Sequence, residues 1–475
     1  MAKLITKEQT ARQQGFIMKL KEENMRYAAQ NGHPRLALTE TYGCQQNEND
    51  TERIRGMLKE AGFEFTSDTY AADVVIYNTC AVRENAEQKV FGRLGILKHI
   101  KENRRDMIIG ICGCMVQQEH ITERIKSVHE HVDLVFGTHA LYKMPELLYK
   151  AMHEKKTVVD IEQSDGAIAE DIPMLRDDAN KAWVSVMYGC NNFCSYCIVP
   201  YVRGRERSRT PDAVLREVRE LAAKGCTEIS LLGQNVNSYG KDLDTETDFS
   251  DLIRMVNDID GVERIRFMTS HPKDLSDKLI HTIAECDKVC KQLHLPFQAG
   301  SDKILRQMNR KYTKAEYLEK IERVKKEIPN IALSTDVIVG FPTETNEDFE
   351  ETLDVLRKVE FDNIFSFIYS RREGTPAAKL DFVLTDDEIH KNFNRLLEAQ
   401  NEISKRKNDA YVGRVERVLV DGVSKTDENV LSGRCDSSKI VNFKGDKSLI
   451  GKYINVKITE SHTWSLNGEV MEDLK

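Results

Sequence analysis

The chain has 475 residues, of which 40% are hydrophobic and 31% are charged, with a formal net charge of −8. At roughly 100 to 200 residues per domain this length predicts two to four domains, and the composition excludes a chain that is disordered throughout. No apolar run approaches the ~20 residues that span a bilayer, and residues 1–35 lack the apolar segment of a signal peptide. We therefore expect a cytoplasmic protein with no membrane partner.

The N-terminal part of the chain alternates strand and helix patterns after an extension that we expect to be partly helical. The strand patterns LALTETY, ADVVIYNT and DMIIGICG each precede a helical pattern. Asn47, Asn49 or Asp50 is the expected cap of the first of these helices. The alternation predicts an open parallel α/β sheet.

Each of these three strand patterns ends at a cysteine, namely Cys44, Cys80 and Cys114. Because the carboxyl ends of parallel strands form the ligand-binding edge of an open sheet, we expect the three thiols to converge there. A reducing cytosol disfavours structural disulfides, so three thiolates at one point predict a metal cluster. The alternative is three small buried residues, but the repeated placement favours the cluster.

The rest of the chain predicts two further folding units. Six strand patterns from Trp183 onwards alternate with helices, which is typical of a parallel barrel shorter than a (βα)8 barrel. After Arg406, short strand patterns separated by Gly and Asp/Asn turns predict a small antiparallel β-barrel, an architecture that often binds oligonucleotides. The predicted division is an extension (1–35), an α/β domain (36–153), a linker (154–182), a partial barrel (183–406) and a β-barrel (409–475).

A second cysteine set, Cys190, Cys194 and Cys197, has the spacing CxxxCxxC directly after the first strand of the partial barrel. Structural zinc sites close with four ligands, and no fourth Cys or His lies nearby in the sequence. Three thiolates hold three irons of a [4Fe-4S] cluster and leave the fourth iron open to an external ligand. This spacing resembles the radical S-adenosylmethionine (SAM) family, whose open iron chelates SAM. The resemblance implies SAM contacts from Tyr196, Gln234, Asp336 and Gly340.

Across roughly residues 36–475, the two cysteine sets and the C-terminal β-barrel resemble the methylthiotransferases. The motifs TYGCQQNENDTERI, NTCAVRENAEQKVFGRLG, FMTSHPKD and HLPFQAGSDKILRQMNR resemble the branch that modifies N6-dimethylallyladenosine in tRNA. That family usually has Met where this chain has Gln46, a difference that spares Cys44. The resemblance implies an N-terminal α/β domain, a radical SAM (βα)6 partial barrel and a TRAM-like RNA-binding β-barrel.

The same resemblance implies the chemistry. Two [4Fe-4S] clusters, one on each cysteine set, would act with two molecules of SAM, one as methyl donor and one as radical source. A methylthio group would be added to carbon 2 of the adenosine at tRNA position 37. The expected partners are tRNA, an electron donor and a sulfur or cluster donor of unknown identity, and a monomer is the simplest expectation for the chain itself.

Four alternating arginines follow the second cysteine set, and we expect them to grip tRNA phosphates; a solvated strand or loop is the alternative. They are Arg203, Arg205, Arg207 and Arg209.

Cys112 is expected to point away from Cys114 on the same strand and to serve packing. Two alternative substrates for the same chemistry are threonylcarbamoyl-adenosine in tRNA and an aspartate of a ribosomal protein. An alternative function is that of an iron-sulfur electron carrier without catalysis.

Overall fold

The computed structural model describes residues 3–82, 84–162 and 165–471, with only the backbone of 84–86. Its α-helices are α1 (Lys7–Asn31), α2 (Gln45–Glu60), α3 (Glu84–Asn103), α4 (Glu119–Val128), α5 (Met144–His153), α6 (Val199–Arg203), α7 (Pro211–Ala223), α8 (Phe249–Asn257), α9 (Asp277–Glu285), α10 (Asp302–Gln307), α11 (Lys314–Glu327), α12 (Asn346–Val359) and α13 (Asp386–Asp409). Among the residues described, no helix is both long enough and apolar enough to cross a membrane.

The N-terminal sheet is parallel throughout and has the strand order β2-β1-β3-β4-β5-β6, which confirms the predicted open α/β sheet. Its strands are β1 (Leu36–Tyr42), β2 (Glu64–Phe65), β3 (Val74–Thr79), β4 (Ile108–Gly113), β5 (Leu134–Phe136) and β6 (Val158–Asp160). β6 lies in the segment that we expected to be a linker, and three residues are too short to give a strand pattern. The expected extension holds α1, whose Ile17 and Leu20 pack into the core of this sheet.

The central region is a six-stranded partial barrel, as predicted. Two parallel trios, β7-β10-β11 and β12-β13-β14, are joined by a bridge between Ile265 and Val289. A small two-stranded antiparallel sheet, β8 with β9, follows the first strand. The strands are β7 (Lys181–Ser185), β8 (Met187–Tyr188), β9 (Arg207–Ser208), β10 (Glu228–Leu232), β11 (Arg264–Phe267), β12 (Gln292–His294), β13 (Ala332–Val339) and β14 (Asn363–Ile368).

The C-terminal region is a closed five-stranded barrel with the order β15-β16-β17-β19-β18. Its pairs are antiparallel except β17 with β19, which is parallel. The barrel docks at the amino ends of β7 and β11, where Lys181 pairs with Asp421 and Arg264 is 1% exposed. The strands are β15 (Val415–Val423), β16 (Val430–Cys435), β17 (Ile440–Lys444), β18 (Tyr453–Ser461) and β19 (Ser465–Val470).

Helix α2 fastens the N-terminal sheet to the partial barrel. Its Gln46 Nε2 donates to Ser185 Oγ at 2.9 Å, and its Asn49 Nδ2 donates to the carbonyl of Trp183 at 3.0 Å. Both partners belong to β7, the first strand of the partial barrel. Since α2 begins directly after Cys44, these bonds fix the first cysteine against the second domain.

Candidate metal centres and cofactor site

The first cysteine set gathers at the carboxyl edge of the N-terminal sheet. Cys44 is the N-cap of α2, so the expectation of a cap at Asn47, Asn49 or Asp50 is wrong. Cys80 follows β3 and Cys114 follows β4. Burial is the main cause that raises the pKa of the Cys114 thiol to about 12, and the charges of Cys80 and Cys44 contribute to that rise, so the three sulfur atoms lie close enough to interact.

Arg203, at the end of α6, lies against this first set. Its Nε donates to Cys114 Sγ at 3.1 Å, and its Nη2 pairs with Asp50 Oδ2 at 2.9 Å. The guanidinium opposes the rise in the Cys114 pKa that burial causes. A cation bonded to a cysteine sulfur stabilises the thiolate form, which is the form that binds metal.

The second cysteine set lies in the loop between β8 and α6. Burial is the largest cause of the raised pKa of Cys197, and the charges of Cys194 and Cys190 also raise it. Arg310 Nη1 donates to Cys194 Sγ at 3.4 Å, while its Nη2 donates to the carbonyl of Pro296 at 2.8 Å. Each cysteine set thus has one buried arginine donating to one of its sulfur atoms.

The two sets share a wall. Cys114 packs in one buried group with Ala81, Ile198 and Val202. Ile198 follows Cys197 directly in the chain, and Val202 lies on α6. The short helix α6 therefore separates the two candidate metal centres.

The donor sets fit [4Fe-4S] clusters with one open iron. Each set offers three cysteine sulfurs, and among the described residues no three His, Cys, Asp or Glu side chains lie close enough to share a single ion. A wider spacing is what a cluster needs, because each cysteine binds a different iron. Cys112 lies outside both sets, since it packs in the core of the sheet with Leu134 and Phe136.

Two of the predicted SAM contacts have surroundings that fit a cofactor. Gln234 follows β10, and its Oε1 is buried without a hydrogen-bond partner among the residues described. A buried acceptor of this kind fits a donor such as the SAM amine. Tyr196, which lies within the cysteine loop, packs against the buried apolar group that includes Phe341 and Tyr369.

The other two predicted SAM contacts lie on or after β13. Asp336 Oδ1 is 3.5 Å from His294 Nε2 on the neighbouring strand β12. The N–H of Gly340 already donates to Glu344 Oε2 at 2.6 Å, and a Cβ at Gly340 would lie 2.7 Å from Ile389. The structure thus gives Gly340 a packing role, and the four SAM contacts stay predictions.

Further polar groups at this edge were missed in the sequence. Asn235 Oδ1, both amide atoms of Asn237 and Ser270 Oγ are buried without partners among the described residues. Asn237 also lines a cleft of about 510 Å³ between the loops that follow β10 and β11. Ser270 and Arg310 fall within the motifs FMTSHPKD and QMNR, which resembled a known family without indicating a role for either residue.

The expectation that four arginines grip phosphates is wrong for three of them. Arg203, Arg207 and Arg209 are buried. Arg203 is bonded to Cys114 and Asp50, and Arg207 donates to the carbonyls of Arg203 and Arg205. Arg209 is paired with Glu170 and Glu217. Arg205 is the exposed member of the four, and its guanidinium lies 4.4 Å from the ring centre of Phe193. Phosphate contact by Arg205 stays a prediction.

Three family models match the chain in the order of its three folding units. The model described as Uncharacterized protein family UPF0004 matches residues 37–137, and that of the Radical SAM superfamily matches 184–356. The TRAM domain model matches residues 409–471, which hold the closed five-stranded barrel.

Curated relatives match nearly the whole chain. A protein of Acetivibrio thermocellus named tRNA-2-methylthio-N(6)-dimethylallyladenosine synthase is 56% identical over 467 residues, covering 98% of this chain and 97% of its own length. A protein of Clostridioides difficile with the same name is 53% identical, with 97% of each chain covered. The chain belongs to this family. It is a radical SAM enzyme, and [4Fe-4S] clusters and SAM are its cofactors.

A solved structure supports the fold. The radical SAM methyltransferase TsrM of Kitasatospora setae, solved with tryptophan and a SAM analogue bound, has a TM-score of 0.51 and 14% identity. The match covers 72% of this chain and 75% of that one. At this identity the likeness extends to the α/β arrangement of the family and not to its substrate.

Proposed function

We propose that the chain adds a methylthio group to carbon 2 of N6-dimethylallyladenosine at position 37 of tRNA. One SAM serves as the methyl donor and a second as the radical source. The observation that carries the proposal is the shared wall between the two cysteine sets, since Cys114 packs against Ile198 beside Cys197. The names of the relatives at 56% and 53% identity support this substrate over the threonylcarbamoyl and ribosomal-protein alternatives.

Carbon 2 of an adenine is neither nucleophilic nor acidic enough for polar substitution, so a cofactor has to supply a radical. When bound, the clusters and SAM supply the electron, the radical and the sulfur chemistry. The residues of the chain hold and orient them: Cys44, Cys80 and Cys114 form one ligand set, and Cys190, Cys194 and Cys197 the other. Arg203 and Arg310 each donate to one sulfur and favour its thiolate form.

The barrel wall beside Asp336 offers an apolar face for the substrate base. Phe365 is paired with Asp336 across β13 and β14, and it is 42% exposed; Phe367, two residues further, is 49% exposed. Large apolar side chains in a barrel strand are normally covered. We assign these two rings to the dimethylallyl group, whose burial against them stabilises the complex.

The C-terminal barrel lies at the amino ends of the strands, opposite the edge that holds the cysteines. A tRNA that reaches both must extend along the side of the partial barrel. The C-terminal barrel then holds a part of the tRNA distant from position 37, while the target adenosine is extruded towards the cysteine edge. The bases nearest the reactive centre contact Arg205 and the partial barrel.

The predicted domain limits belong to this proposal: an extension (1–35), an α/β domain (36–153), a linker (154–182), a radical SAM core (183–406) and an RNA-binding barrel (409–475). The partners are tRNA, an electron donor and a donor of sulfur or of a cluster. The proposed location is the cytoplasm, and the proposed active form is the monomer.

The experiment separates the two cysteine sets by their products. Cys194→Ala should abolish the formation of 5′-deoxyadenosine, because both the cluster ligand set and the open iron are disrupted. Cys80→Ala should still form 5′-deoxyadenosine under strong reductant but should yield no methylthiolated nucleoside. The substrate is tRNA carrying dimethylallyladenosine, and both products of the reaction are quantified by chromatography. Methylthiolated product from Cys80→Ala would refute the assignment of the first set.

A further inference from the structure

A small cavity of about 50 Å³ lies beside Arg203, between α2, residues 138–142, residues 167–172 and β8. No cysteine lines it, so it is separate from both candidate metal centres. One water needs roughly 10 to 15 Å³ of such space, so the cavity has room for a few waters or one small anion. Arg53 and Arg207 are the further cations in its wall.

Three polar atoms of this wall have no partner among the described residues. They are Arg53 Nε, Arg207 Nε and Tyr188 Oη, all buried. The Arg53 side chain is 7% exposed, and its guanidinium carbon lies 5.7 Å from the ring centre of Tyr188. A buried guanidinium without a bonded anion is costly, which indicates an occupant that supplies acceptors.

The carboxylates that act on Arg53 and Arg207 have other hydrogen-bond partners. Asp165 and Asp242, which act on Arg207, accept from the backbone N–H groups of Arg205 and Ser208. Asp50 is the carboxylate in its wall, and that group is already bonded to Arg203. Glu217 acts on Arg53 from further away but is bonded to Arg209 and Arg176. Burial and the nearby Arg207 lower the pKa of His139 to about 4, so the imidazole adds no charge at neutral pH.

We propose that this cavity binds one small inorganic anion through the guanidinium groups of Arg53 and Arg207 and the hydroxyl of Tyr188. An anion with several acceptor atoms satisfies the unpaired donors together, and arginine suits such ligands because its donors form a planar fork. The wall also contains Arg203, whose Nε donates to Cys114. An anion bound in the cavity therefore offsets positive charge next to the first cysteine set. The site goes beyond the proposed function and does not depend on it.

The test uses the cluster-loaded protein. Its melting temperature is measured against chloride, phosphate and hydrosulfide at constant ionic strength, and crystals soaked in bromide are examined for anomalous density in the cavity. We expect the melting temperature to rise with at least one anion and one bromide peak between Arg53 and Arg207. The anion that acts at the lowest concentration identifies the natural occupant.

Arg53→Met should abolish both signals, because it removes a guanidinium that holds the anion. Without anion it should melt close to the wild type, because Arg53 has no hydrogen-bonded carboxylate to lose among the described residues. Arg55→Met is the matched control, since Arg55 lies on the same helix, pairs with Asp177 and does not line the cavity. If Arg53→Met does not fold, Tyr188→Phe removes a single hydroxyl and should weaken the anion effect. Density explained by water alone, an adventitious ion only, or equal titrations for the wild type and Arg53→Met would overturn the proposal.

Discussion

Arg264 attaches the C-terminal barrel to the partial barrel, and its replacement tests what that attachment contributes. Its Nη1 donates to Glu228 Oε2 at 3.2 Å and to the carbonyl of Arg434 at 3.1 Å. Its Nη2 donates to the carbonyl of Arg417 at 3.1 Å and pairs with Asp436 Oδ1 at 2.6 Å. Four acceptors on two folding units thus depend on one side chain that is 1% exposed.

Arg264→Met keeps much of the side-chain length and removes every donor. Leaving a buried acceptor without a partner costs about 1 to 3 kcal/mol, and breaking a buried ion pair costs about 3 to 5 kcal/mol. Glu228 keeps Arg266 at 3.2 Å, and Asp436 is half exposed, so both carboxylates remain partly satisfied. We therefore expect a loss of about 3 kcal/mol, which favours the undocked barrel by about a hundredfold.

The measurement is amide hydrogen exchange across residues 415–470 together with tRNA affinity. Exchange in these strands should speed up and tRNA binding should weaken, while SAM cleavage without tRNA should continue because the cysteine edge is distant. Arg254→Met is the control, since its pair with Glu285 is exposed and contributes little. Unchanged exchange and unchanged affinity in Arg264→Met would refute the reasoning, and so would a specific loss of SAM cleavage.

Three other changes have defined outcomes. Burial raises the pKa of Glu344 to about 8, so the stability this carboxyl contributes below about pH 4.5 is lost as the pH rises through 8. By denaturant unfolding at pH 9, Glu344→Gln should be about 5 kcal/mol more stable than the wild type, whereas Glu347→Gln should show no gain, because Glu347 is exposed and its pKa is lowered. In a binding assay, Phe365→Ala should reduce by about tenfold the preference for tRNA with the dimethylallyl group over tRNA without it. Tyr70 is exposed on the N-terminal domain, and Tyr70→Ala should leave this preference unchanged. Cys112→Ala should keep its clusters and turnover at a cost of up to about 1.5 kcal/mol; iron loss with the fold intact would contradict its packing role.

The sequence predicted what depends on local pattern. Strands that end at Cys80 and Cys114 and helices with apolar faces were readable, because hydrophobic periodicity is a local property. The convergence of the thiols was predicted from a general rule about parallel sheets. The influence of Cys80 and Cys44 on the pKa of Cys114 supports this convergence. The strand β6 escaped prediction because its three residues are fixed by pairing with β5, a contact outside any local window.

The arginines show why burial could not be predicted. An alternating run of charge looks exposed when read alone, and its partners Asp50, Glu170 and Glu217 lie elsewhere in the chain. Charge pattern alone does not say whether a guanidinium faces solvent or a carboxylate from another element. Gln46 is a similar case. Its side chain bonds Ser185 of the second domain, a contact that the sequence alone does not reveal.

The helix α6 connects the two cysteine sets. It begins directly after Ile198, next to Cys197, and ends at Arg203, which bonds Cys114 and Asp50. Ile198, just before the helix, and Val202, near its end, both pack in one buried group with Cys114, so the helix lies against the first set. Arg203 is buried and paired at the end of this helix, so a displacement of the helix that broke the pair would cost about 3 to 5 kcal/mol. The side chain that donates to a sulfur of the first set thus also anchors the helix that follows the second set.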